Sequence, residues 1–140
     1  MAYQIKQFEK DAKTAIWPKL EMIAQHSDYP DIKPKEVSQI FVAYDNDEPV
    51  AFSGLACYHG FWCLRICVVS PEHRGNGLQR KMIKQRLTWA KSRGAKWVNV
   101  WVNPLNKYSL YNIQRSGFTK QPDKPKMFGG KLHQKYRVML

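Results

Sequence analysis

"VVSPEHRGNGLQ", Val68 to Gln79, opens as apolar, strand-like sequence and ends inside the first turn of a basic helix. Between the two halves lie Arg74, Gly75, Asn76 and Gly77. Glycine loses more backbone freedom on folding than any other residue, so this pair weakens both neighbouring elements. The junction is one that needs bare backbone. At a helix N-terminus the first amides have no intrahelical acceptor and the helix dipole adds positive potential, which suits a phosphate group. Gly75 and Gly77 expose such amides, and Arg74 and Arg80 add charge.

Working outward, Ile40 to Tyr44, Val50 to Tyr58 and Phe61 to Val69 are rich in β-branched and aromatic residues, and "DNDE" and "HG" separate them. They predict an antiparallel meander with a tight turn at His59-Gly60. In the last strand, alternation sends Leu64, Ile66 and Val68 to one face and Cys63, Arg65, Cys67 and Val69 to the other. From Leu78 to about Arg93, Leu78, Met82, Ile83, Leu87 and Ala90 form one helical stripe that stops at Gly94. "AKWVNVWV" follows as a buried strand, so Phe61 to Val102 reads as strand, helix, strand with parallel strands. A short helix from about Leu105 to Arg115, a break at Gly117-Phe118 and a strand near "HQKYRVML" complete the chain. Upstream, Ala12, Ala15, Ile16, Leu20, Ile23 and Ala24 predict a helix from about Glu9 to Gln25, bent or split by Pro18. The proline-bearing "SDYPDIKPKE" reads as loop.

With 140 residues, 44% of them hydrophobic, the chain fits one domain spanning 1–140. Twenty-three Lys and Arg against 11 Asp and Glu give a formal charge of +12, which attracts anions: nucleic acid, phosphorylated cofactors or acidic lipid. Cys57, Cys63 and Cys67 are an odd set without a CxxC or HxxxH pattern, so no disulfide framework and no metal site is expected. No charged start with a long apolar run occurs at Met1, and no stretch approaches the roughly 18 apolar residues of a membrane span. A cytoplasmic protein without membrane attachment, monomer or homodimer, is the expectation.

Other phosphate loops do not fit. A P-loop needs GxxxxGK followed by Ser or Thr, and neither glycine has that sequel. A dinucleotide fingerprint needs a third glycine and an acidic residue about 20 positions on, where this chain has Arg93. The order of meander, "VVSPEHRGNGL", long helix, "VNVWVNPLN" and "NKYSLYNIQRSGF" instead resembles the GNAT superfamily of N-acetyltransferases. Their acetyl-CoA loop has Gln or Arg, two free positions, Gly, one free position, then Gly or Ala. Arg74 to Gly77 fit this pattern and Gln79 departs from it, setting a bulkier side chain beside the pyrophosphate. The resemblance covers Val37 to Phe118 well, the first helix loosely and the tail by position.

The resemblance implies an α/β (α+β) fold: a central mixed, mostly antiparallel sheet of about six or seven strands, helices on both faces and a splay between strands 4 and 5. It implies that pantetheine pairs with the backbone of Cys67, Val68 and Val69, while Arg74, Gly75, Asn76, Gly77, Leu78, Gln79 and Arg80 hold the diphosphate. Asn106 and Gly117-Phe118 match the second family signature, with Asn106 serving pantetheine or capping the helix, and Ser109 beside it. Acetyl-CoA is the implied cosubstrate, and the implied reaction is acetyl transfer to a primary amine in a ternary complex.

Transfer from a thioester needs a neutral amine, a stabilised oxyanion and a proton for the departing thiolate. The family's usual acid is a tyrosine four residues before the Gly of Gly-Phe, a position held here by Ile113. Tyr111 lies about 200° around the helix from that slot, so it turns inward only at an irregular turn; Tyr108 is the other candidate and Ser109 a smaller one. Glu72, His73 and His59 are candidate bases near the loop and hairpin. Cys67 lacks a His partner at known spacing and reads as a small hydrophobe.

The acceptor is a small-molecule or amino-acid amine, or an amine on a nucleic-acid-associated molecule, read by the loops Pro30 to Glu36 and Lys120 to Lys131. The positive charge disfavours polycationic acceptors. Trp17, Trp62, Trp89, Trp97 and Trp101 are expected mostly in the core. Two alternatives stand: a fold that binds acetyl-CoA without turnover, motivated by Ile113, and a basic nucleic-acid-binding module using Lys81, Lys84, Arg86, Lys91 and Arg93. Those cations read more simply as the solvated face of the helix.

Overall fold

Runs of apolar, β-branched and aromatic residues that are buried on both sides along β2 (Gln39–Asp45) and β3 (Glu48–Tyr58) form the middle of one sheet, which carries the fold. The computed structural model describes residues 3–9, 13–27, 33 and 37–140. The elements are β1 (Gln4–Phe8), α1 (Lys13–Ala24), β2 (Gln39–Asp45), β3 (Glu48–Tyr58), β4 (Phe61–Val69), α2 (Leu78–Ser92), β5 (Trp97–Val102), α3 (Lys107–Arg115), β6 (Thr119–Lys120), β7 (Lys126–Phe128) and β8 (Lys131–Met139). The sheet runs β1-β2-β3-β4-β5-β8-β6, with β7 pairing β8 off this path. Every neighbouring pair is antiparallel except β4 and β5, which are parallel because α2 carries the chain back between them. The mixed α/β fold with a β4–β5 splay is therefore present.

Helices cover both faces. On one, Trp17, Leu20 and Ile23 of α1 pack with Ile40, Val42, Phe52 and Val68. Pro18 lies inside an unbroken α1, although it supplies no amide hydrogen. The buried Trp17 and Leu20 around it hold the helix to the sheet. On the other face, Leu78, Met82, Ile83 and Ala90 of α2 are buried against two clusters, one around Leu55, Leu64 and Val98 and one around Ala51 and Val69. Gly94, with φ of 91°, ends this helix as its position predicts. The His59-Gly60 turn has positive φ at both residues, 51° and 83°, the backbone that closes a tight hairpin between twisted strands.

Two expectations are corrected. β1 is an additional strand, poorly announced because only Ile5 and Phe8 are apolar within it. The expected two-face split of β4 fails at a bulge: Ser53 pairs with Cys67 but Leu55 pairs with Leu64, so β4 carries one residue more than β3 there. Leu64 consequently joins the α2-side cluster, while Ile66 and Val68 face α1. The tryptophans divide: Trp17 is buried and the half-buried Trp62 and Trp89 pack against the α2-side cluster, whereas the half-buried Trp97 and Trp101 belong to no core cluster. Ala12 and the loop Pro30 to Glu36, apart from Lys33, lie outside the described residues.

Candidate active site

β4 and β5 share only two registered pairs, Cys63 with Asn99 and Leu64 with Val100. β4 runs on to Val69 and β5 to Val102, so beyond those pairs the strands part. A cleft of about 560 Å³ opens between them, lined by Ile66 to Val69 on one side and Val100 to Asn103 on the other. It passes through the sheet. Arg74, Gln79, Tyr108, Ser109 and Ile113 border it from the α2 and α3 side, and His26 and Ser27, after α1, from the opposite face.

The loop from Arg74 to Gln79 stands at the α2 end of this cleft. Gly75 and Gly77 have φ of 82° and 74°, a left-handed backbone that glycine adopts without strain. A Cβ at either position would meet nothing within 4 Å, so the space above the loop is open. The first bond into α2 runs from the Lys81 amide to the Gly77 carbonyl at 3.1 Å. Among the described residues the amides of Gly75, Asn76, Gly77, Leu78, Gln79 and Arg80 donate to no protein acceptor. Arg74 is tied back by its Nε to the Val69 carbonyl at 3.2 Å, and Asn76 Nδ2 donates to the His73 carbonyl at 3.0 Å.

Gln79 behaves differently from the expectation of bulk beside a diphosphate. Its side chain is buried and fixed to α3: Nε2 donates to Ser109 Oγ at 3.0 Å, and Oε1 accepts from Asn112 Nδ2 at 3.1 Å. Asn106 caps α3, its Oδ1 accepting from the Ser109 amide at 3.1 Å. Ile113 is buried and faces the cleft from the slot that a tyrosine usually holds in the family that the chain resembles. Tyr108 reaches the cleft with about half its surface exposed (48%). Tyr111 does not: the helix is regular, and the ring lies outside the cleft with the Arg115 guanidinium 5.9 Å from its centroid. Glu72 is exposed on the turn Pro71–His73 and does not border the cleft either. His73 is taken by Tyr3, whose hydroxyl lies 3.1 Å from its Nδ1.

Arg86 is the largest departure. Expected on the solvated face of α2, it is 1% exposed and lines the cleft from beneath. Its Nη1 donates to the carbonyls of Gly54 at 2.9 Å and Arg65 at 3.2 Å, and its Nε to Met82 at 3.2 Å. Lys81, Lys84, Lys91 and Arg93 do face solvent. Burial holds the thiols of Cys63 and Cys67 above the ordinary thiol range, outweighing the nearby cations that pull them down, Arg65, Arg86 and Lys135 at Cys63 and Arg86 at Cys67. Neither is a ready nucleophile. Trp101, Phe128 and His133, which sequence patterning does not mark as site residues, form an aromatic wall of the cleft. Phe128 lies 5.7 Å from Trp101 and edge-on, at 5.2 Å, to His133. Among the described residues no cluster of His, Cys, Asp and Glu could hold a metal ion.

The sequence pattern of the acetyltransferase (GNAT) family matches residues 2–118. The chain belongs to this family. Over 91 residues it is 30% identical to an uncharacterized N-acetyltransferase of Methanocaldococcus jannaschii, a match covering 58% of this chain and 39% of that protein. The chain thus spans well under two thirds of that relative. Among solved structures, the ribosomal-protein-S18-alanine N-acetyltransferase of Escherichia coli aligns over 99% of this chain and 94% of its own, with a TM-score of 0.80 and 17% identity. The yncA protein of Salmonella typhimurium, solved with its cofactor acetyl-CoA, aligns over the same shares with a TM-score of 0.73 and 17% identity. At such identities the likeness is one of fold.

Within this GNAT chain two positions set the site apart from the pattern: Gln79 closes the loop and Ile113 fills the tyrosine slot. No described helix is long and apolar enough to cross a membrane.

Proposed function

We propose that this GNAT domain, one unit over 1–140, transfers the acetyl group of acetyl-CoA directly to a primary amine bound beside it. The observation that carries the reading is that Arg74 and Gln79, which bracket the unpaired amides of the loop, border a cleft walled by Cys67 to Val69, a stretch of β4 without a partner on β5 and, beyond its β3 ladder, with only its Val69 carbonyl taken, by Arg74. Bare amides at a helix start suit a diphosphate, and an unpaired strand edge suits the amide-bearing pantetheine arm. Acetyl-CoA supplies an activated acetyl group and a thiolate leaving group. Arg74 and Arg80 add positive potential at the loop, and the edge amides near Val69 are donors for a developing oxyanion.

The amine enters from the α1 face, past Trp101, Phe128 and His133. Alternation along β5 supports this approach, because Val100 and Val102 pack toward α2 and Trp101 points the other way. Tyr108 is the chain's candidate for protonating the thiolate, since it borders the cleft and Tyr111 does not. Direct transfer is favoured over an acyl-cysteine because burial keeps the Cys67 thiol protonated. Three free cysteines accord with a reducing, cytoplasmic setting.

A titration with acetyl-CoA, followed by thiol detection against a panel of small amines and amino acids, tests the reading. Saturable binding with amine-dependent thiol release is expected. Binding without release from any amine would mark a fold that has lost turnover, the alternative that Ile113 in the acid's slot favours. No binding would overturn the assignment of the loop.

A further inference from the structure

We infer that Arg86 is a positioning residue for acetyl-CoA: its guanidinium pins the β4 bulge and so fixes the strand edge that borders the cleft. The inference rests on the reading of the cleft as the acetyl-CoA site. At the bulge β4 has one residue too many for β3, so the ladder between Ser53–Cys67 and Leu55–Leu64 is interrupted. The carbonyls of Gly54 on β3 and Arg65 on β4 lie in that interruption, and both accept from the same Nη1. Nε completes the clamp on Met82 in α2. One side chain therefore ties two strands and a helix together just before β4 leaves β5.

The clamp is costly, which argues that it is used. Burial pulls the Arg86 guanidinium below its usual pKa, yet a guanidinium stays charged in proteins. Among the described residues no carboxylate pairs with Arg86, whose bonds all go to backbone carbonyls. A desolvated cation balanced by carbonyl dipoles is a poor choice for stability alone, since apolar residues of similar volume often serve as well or better. A plain core position four residues from Met82 and from Ala90 calls for leucine or methionine. A planar guanidinium, whose Nη1 has two N–H donors for the two carbonyls while Nε in the same plane holds Met82, calls for arginine. What the guanidinium fixes is the length and path of β4 through Ile66, Cys67 and Val68, the stretch that forms the cleft wall.

Arg86→Met and Arg86→Lys, compared with the unaltered protein for binding of acetyl-CoA and of ADP, test this. ADP carries the diphosphate but no arm to lie along β4. We expect Arg86→Met to weaken acetyl-CoA at least about tenfold while ADP changes by less than about threefold, because the pair of charge-assisted bonds lost at the bulge fixes the strand edge that only the arm uses. Arg86→Lys should behave like Arg86→Met, because an ammonium does not reproduce the planar guanidinium. Millimolar guanidinium, but not sodium at equal ionic strength, should restore acetyl-CoA binding to Arg86→Met. Should Arg86→Met fail to fold, Arg86→Lys with its two ligands decides. Unchanged acetyl-CoA affinity in a folded variant, equal losses for both ligands, or full recovery in Arg86→Lys would overturn the positioning role. An unaltered protein that binds neither ligand would overturn the reading of the site itself.

Discussion

Asn112 on α3 donates its Nδ2 to Oε1 of Gln79 on α2 at 3.1 Å, and both side chains are buried. The same Asn112 group reaches the Tyr108 carbonyl at 3.1 Å, and Gln79 also holds Ser109. The residue after the glycine loop is thus the bolt between the helix that starts the cleft and the helix that carries Tyr108. Gln79→Ala removes two partners at once and leaves a buried amide group under-satisfied. Stability should fall by about 1–3 kcal/mol, read as a lower urea midpoint at unchanged slope.

Gly77 tests the loop. Gly77→Ala asks an L-residue to adopt φ of 74° and should cost about 1 kcal/mol of stability, with no clash because the space is open. Gly77→Glu adds a carboxylate where a diphosphate is expected, so calorimetry should detect no acetyl-CoA binding while circular dichroism stays native. Full affinity in that variant would refute the loop assignment.

The two tyrosines of α3 should separate cleanly. Tyr108→Phe is expected to lower kcat by roughly tenfold or more, the range of a lost general acid, with little change in KM for acetyl-CoA. Tyr111→Phe should leave both constants alone, since its ring lies outside the cleft. Equal losses from both would remove Tyr108 from its role.

Cys67 gives a pH test. Its folded-state thiol is held above the ordinary range, so between the unfolded and folded pKa the unfolded chain has released a proton that the native one keeps. Alkylation by iodoacetamide should be slow at neutral pH and rise only above the range of a free thiol. The contribution of this group to stability is present below the unfolded pKa and falls as pH climbs past it. Mass spectrometry after incubation with acetyl-CoA should find no acetyl group on the protein, and Cys67→Ala should keep its turnover. A covalent acetyl-cysteine would contradict direct transfer.

Gly54 probes the bulge from the β3 side. A Cβ there would lie 2.5 Å from Val37 Cγ1 and 3.4 Å from Arg65 Cβ, so either Val37 or the bulge must move. Gly54→Ala should destabilise by about 1–3 kcal/mol, seen as a lower Tm, and weaken acetyl-CoA in step if the carbonyl held by Arg86 shifts.

Local chemistry made most of this fold readable. The β3–β4 hairpin, α2 and the glycine loop follow from turn residues, a periodic stripe and two glycines, each of which acts on its immediate neighbours. The bulge escaped because strict alternation in "FWCLRICVV" looks complete; only the partner strand reveals a residue too many. Arg86 sat in plain view at helical spacing from Met82 and Ala90, but its charge argued for solvent, and the carbonyls that accept it come from β3 and β4. Trp101, Phe128 and His133 meet through the β5–β8 and β7–β8 pairings, which no short stretch encodes. Gln79 was legible as an exception and its partners on α3 were not.

With a mere pair of rungs joining its halves, the sheet resembles a cloth with a tear down the middle. An arm lying along Cys67 to Val69 would act as a stitch, joining the halves where they share no rung. Ligand and scaffold would then be partners in one architecture, with the guest finishing a wall that the host leaves ajar.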